Sequence, residues 1–100
     1  MESGKWLPLG SVISIKGSLR KLIILGRGLT INDDGEEVYY DYVGTMYPLG
    51  LTGEKVIYFN HSAVDNVLFV GYDDDDNRMA CGLIDQYLRE HPEIHRRSEV

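Results

Sequence analysis

The chain has 100 residues, with 43% hydrophobic and 26% charged residues, a composition that excludes a disordered chain and leaves room for one modest core. The formal net charge is −6, and the single cysteine, Cys81, excludes an internal disulfide and a cysteine-built zinc site. The N-terminal "MESGKWLPLG" lacks the apolar core of a signal peptide, and the longest strongly apolar run, "LIILG", falls far short of the roughly 20 residues that span a bilayer.

The expectation is therefore a soluble, cytoplasmic protein. Charge is unevenly spread. Residues 1–31 carry five basic residues and one acid, a balance of +4, whereas residues 32–77 carry eleven acids and Lys55, a balance of −10. The last 23 residues balance to zero. An acidic middle argues against broad nucleic-acid binding, which needs a basic footprint, and suits a basic protein partner.

The elements follow in chain order. "SVISIK" carries β-branched Val12, Ile13 and Ile15 and reads as a first strand. "GSLR" is a turn, and "KLIILGR" completes a hairpin. "GLTINDDGEE" is polar and reads as a loop or wide turn, with a strand extension at 29–31. "VYYDYVGTMYP" is a third strand, bent or bulged at Gly44. "VIYFN" is a fourth strand, "HSAVDN" allows one helical turn, and "VLFVGY" is a fifth strand. In "NRMACGLIDQYLREH", Met79, Leu83, Ile84, Tyr87 and Leu88 recur at helical spacing, and Pro92 ends the pattern. The spacing predicts a β-rich part over about 7–72, a C-terminal helix over about 76–91 and a frayed tail at 92–100.

These elements make one α+β domain: a five-stranded antiparallel meander curled into a small SH3-like partial barrel, with the helix over one face or edge.

Little in the chain spells chemistry. The run Asp73, Asp74, Asp75 and Asp76 invites a calcium loop, but neither register supplies both the glycine at position 6 and the acid at position 12. Aspartates before a helix cap it and oppose its dipole. His91 and His95 have metal-ligand spacing, but Pro92 interrupts them and no third ligand stands nearby. His61 with Asp65 could pair a base with its orienting carboxylate, yet no nucleophile elbow surrounds Ser62, Ser11 or Cys81. Cys81 sits near the start of the predicted helix with no partner base in view. No "GK[ST]" completes a P-loop.

The tyrosines of the third strand are more suggestive. Strict alternation places Tyr40, Tyr42 and Met46 on one face, and Tyr39, Asp41, Val43 and Tyr47 on the other. Tyrosine is enriched at protein interfaces and also packs well in small cores.

Taken in order, "LPLGSVISIKG", "RKLIILGR", "YDYVGTMYPLG" and "YFNHSAVDNVLFVGY" followed by an acidic run resemble the DUF4176 family, from about Leu7 to Asp76. The resemblance implies a small protein of Gram-positive bacteria, encoded near type VII secretion genes and LXG-type toxins. It implies an accessory role, as adaptor, chaperone or immunity-related factor. It transfers no catalytic residues.

The expectation is a non-enzymatic interaction module with no metal and no cofactor. Its interface would centre on Tyr40, Tyr42, Tyr47 and Pro48, with Asp73, Asp74, Asp75 and Asp76 as a steering rim. The partner would be a secretion substrate or a component of the secretion system, with neither nucleic acid nor membrane. Two alternatives stand beside it: a small hydrolase or ligand-binding protein using His61 and Asp65, and a structural homodimer joined through a strand edge.

Overall fold

The computed structural model describes residues 6–53 and 55–94. Five strands, β1 (Val12–Ile15), β2 (Lys21–Asp33), β3 (Glu36–Tyr47), β4 (Ile57–Phe59) and β5 (Val64–Phe69), precede one helix, α1 (Asp75–Glu90). All strand pairs are antiparallel, the order across the sheet is β4-β3-β2-β1-β5, and the sheet does not close into a barrel. The α+β class therefore stands as expected.

The first four strands run as a meander, and the fifth leaves it. β5 pairs with β1 at the far edge, with Ile13 opposite Val67 and Val12 opposite Phe69. The cause is the 3-10 turn His61–Ala63, in which Ala63 N–H donates to Asn60 O at 3.0 Å. Ala63 is buried, and its carbonyl accepts from Lys16 N–H at 2.9 Å, which anchors the crossing chain beside the end of β1.

The expected loop after Arg27 is instead the longest hairpin of the fold. β2 continues to Asp33, β3 begins at Glu36, and only Asp34 and Gly35 turn between them. Both have positive φ, 58° and 86°, as a two-residue turn with matching twist requires. Asn32 Oδ1 accepts from Gly35 N–H at 2.9 Å and closes it. The strand tips are exposed and polar, so hydrophobic alternation, the usual strand signal, is missing there.

The bulge expected at Gly44 lies on the facing strand. The register shifts between Ile24 and Gly26, opposite Gly44 and Val43. Gly44 serves close approach: a Cβ there would stand 2.7 Å from Ile23 O.

The core comprises Trp6, Ile13, Leu22, Ile24, Tyr42, Phe59, Ala63 and Cys81, flanked by Ile84 and Leu88. Full burial of each large apolar side chain contributes about 1.5–3 kcal/mol. Helix α1 turns Cys81 and Asp85 fully inward. Met79, Leu83 and Tyr87, expected in the same stripe as Ile84 and Leu88, point outward at 70%, 62% and 46% exposure. The predicted stripe therefore splits, because polar Asn77 and Asp85 occupy inward positions that a purely apolar reading gives away.

Candidate functional site

Beneath α1 a set of polar groups binds distant parts of the chain together. Trp6 Nε1–H donates to Asp85 Oδ1 at 2.8 Å in a buried contact. Leu7 N–H donates to the Tyr42 hydroxyl at 3.0 Å. Arg27 Nη1 donates to Asn77 Oδ1 at 2.6 Å, to Leu7 O at 3.3 Å and to Cys81 Sγ at 3.2 Å. One guanidinium thus joins β2, the N-terminal segment and the first turns of α1.

On the other side of Tyr42, His61 Nδ1 lies 3.1 Å from the phenol oxygen, and the His61 ring tilts against Trp6 at 4.7 Å. His61 N–H donates to Asp41 Oδ2 at 2.9 Å, and Asp41 N–H donates to Asn60 Oδ1 at 2.8 Å. The carboxylate beside the His61 ring is that of Asp41, with Nε2 and Oδ2 3.9 Å apart. Asp65, the partner expected from the sequence, is exposed on β5. Burial pushes the Tyr42 phenol up to about 12, against the opposing bond from Leu7. Burial also raises the Cys81 thiol, and the Arg27 charge only partly counters it.

The expected interface residues scatter. Tyr42 is fully buried and packs against Trp6 and Phe59, so its ring offers nothing to an external partner. Phe59, its cross-strand partner on β4, and Trp6 cover the ring. Tyr40 is half-buried and leans on Tyr58, with centroids 5.5 Å apart. Tyr47 and Pro48 are exposed, with Lys21 Nζ 5.8 Å from the centre of the Tyr47 ring.

The aspartates divide their work. Asp74 is the N-cap, accepting from Asn77 N–H at 2.9 Å. Asp73 accepts from Asn77 Nδ2 at 2.9 Å, and Arg78 pairs with Asp75 at 2.8 Å and with Asp73 at 3.8 Å. Asp76 lies exposed in the first turn. Among the described residues no group of three or more His, Cys, Asp or Glu is placed to hold a metal ion. His91 stacks on Tyr87 at 4.1 Å, whereas His95 and most of the tail 92–100 lie outside the described residues.

Among the described residues, the longest run of exposed large apolar side chains immediately precedes the aspartates. Val67, Leu68, Phe69, Val70 and Tyr72 are 44–80% exposed. Leu68 and Phe69 line a shallow groove with Val12, Ile23, Tyr47 and Lys21. Tyr47 is therefore the one expected interface tyrosine that joins an apolar surface.

A family model described as "Domain of unknown function (DUF4176)" matches residues 6–79. The chain belongs to the DUF4176 family. No curated protein and no solved structure matches it. The DUF4176 match begins at Trp6 and takes in all five strands, the aspartates and the first turn of α1. The later helix residues that complete the buried cluster, Cys81 and Asp85, lie beyond it.

In this DUF4176 chain the sequence reading overlooked Trp6, Arg27 and the exposure of β5. The only advance signal for β5 was an apolar run, "VLFVGY", abutting four acids. Which strand it would join, and so which side stays open, is absent from the local sequence.

Proposed function

We propose that this chain is a non-enzymatic protein-interaction module, acting in the cytoplasm as an accessory, adaptor- or chaperone-like factor of type VII secretion. One observation carries the interaction reading: the exposed apolar run Val67 to Val70 along and just past the end of the edge strand β5. Contiguous exposed apolar surface marks partner binding in a chain of this size. The secretion context rests on the resemblance of "YDYVGTMYPLG" and "YFNHSAVDNVLFVGY" to a family encoded beside such genes. A protein partner is favoured over nucleic acid by the net charge of −6, and no described helix is long and apolar enough to cross a membrane.

Relative to the expected interface, the contact surface moves. It keeps Tyr47 and the acidic rim, loses Tyr42 to the core, and gains β5. Co-expression with the products of neighbouring secretion genes tests the reading. One of them should co-purify with the wild-type chain and be lost from Phe69→Lys. Absence of any stable complex across the gene cluster would remove the secretion role.

A further inference from the structure

We infer that β5 is the docking edge for an extended segment of a partner protein, apolar in its middle and basic at both ends, which joins the sheet as an added strand. The inference rests on the interaction-module reading and names the partner's chemistry.

The two edges of the sheet are unlike. β4 is three residues long and ends in buried Phe59, a short and protected edge. β5 is six residues long, and five of the six are exposed. Natural edges are blunted by Lys, Pro, bulges or a covering element; β5 contains neither Lys nor Pro, and its register against β1 shifts twice, between Val64 and Asn66 and between Val67 and Phe69. No described strand lies on its outer side. Backbone groups on that side supply affinity for a strand, and the exposed side chains of Leu68 and Phe69 meet its alternate residues.

Charge selects the occupant. Asp65 stands at the start of β5, and the aspartates 73–76 stand just past its end. A strand laid along β5 thus meets acid at both ends, and Lys or Arg at its own ends complements them. A second copy of this chain fits worse. Antiparallel pairing of β5 with itself over its full length sets Asp65 opposite Leu68 of the other copy, so the acid meets an apolar side chain and no cation, and each copy brings its own run of aspartates 73–76. Arg78 neutralises part of that run, but each copy still carries −6.

The test uses a fluorescent synthetic peptide of six alternating valines and threonines between lysine pairs, with the full chain and anisotropy as the readout. Saturable binding below about 1 mM is expected. It should weaken at least tenfold when the lysines become glutamates, and again for Leu68→Lys, whose fold is checked by circular dichroism. N-methylation of the six central residues should abolish it, because it removes the strand's donors while keeping its side chains. Amide shifts in labelled protein should centre on Val64–Phe69. Equal binding of the N-methylated peptide would overturn strand addition while leaving the interaction module standing. No binding of the parent peptide would overturn the inference, whatever the co-expression result. Concentration-dependent dimers abolished by Leu68→Lys would assign the edge to a second copy instead.

Discussion

Trp6 and Asp85 share a buried hydrogen bond of 2.8 Å although 79 positions separate them. The bond ties the segment before β1 to the middle of α1, so the helix and the N-terminus stabilise each other. Trp6→Phe keeps a ring but leaves the buried carboxylate short of a donor. It should cost about 1–3 kcal/mol, read from the midpoint of urea unfolding. Trp6→Phe, Asp85→Asn and the double variant form a cycle whose coupling energy should exceed about 0.5 kcal/mol. Additive losses would show that the contact is incidental to stability.

The aspartates make a sharper contrast. Asp74→Ala removes the cap and should cost about 1 kcal/mol, whereas Asp76→Ala should stay within about 0.5 kcal/mol. Chemical denaturation of the two variants compares them directly. Equal effects would mean that the run acts through bulk charge rather than through the bond to Asn77 N–H.

At Gly44 a methyl group would meet Ile23 O at 2.7 Å. Two backbones would have to separate where β2 already bulges. Gly44→Ala should therefore destabilise by about 1–3 kcal/mol. A thermal midpoint equal to wild type would show that the hairpin relaxes without loss.

The Tyr42 phenol gives a pH dependence at the alkaline end. Its value rises from 10.0 to about 12, first because burial disfavours the phenolate. Below pH 10 both folded and unfolded chains keep the proton, and the stabilisation tied to the neutral phenol is fully present. Between pH 10 and 12 the unfolded chain ionises first, so it binds fewer protons and stability falls as pH rises, by at most about 1.4 kcal/mol per unit. Urea midpoints at pH 9, 10 and 11 should decline. Tyr42→Phe, less stable at neutral pH because Leu7 N–H loses its acceptor, should show a shallower decline.

Cys81 is buried, and burial raises its thiol. Folded protein should react with a disulfide reagent at neutral pH at least tenfold slower than protein in concentrated urea. Equal rates would place the thiol at the surface and contradict its contact with Arg27.

How much of this was legible depends on the range of the interaction. The helix and its acidic start could be read directly, since capping acts within one turn and Asp74 lies three residues from Asn77. The Asp34-Gly35 turn was partly legible. Its residues signal a turn, but the polar strand tips around it hid the hairpin. Alternation set Tyr42 and Tyr47 on opposite faces of "YDYVGTMYP" but did not say which would be covered, and Tyr42 became core while Tyr47 stayed at the surface.

Composition and local pattern alone determined the class: antiparallel strands followed by one capped helix, without disulfide or cysteine-zinc chemistry. These follow from propensities and charges that act over a few residues. Tertiary structure alone decided that β5 crosses to β1, that Trp6 reaches Asp85, and that Tyr42 turns inward while Phe69 stays exposed. Each depends on which distant segments share a core, and strand pairing between segments far apart in the chain leaves no periodic mark in either one.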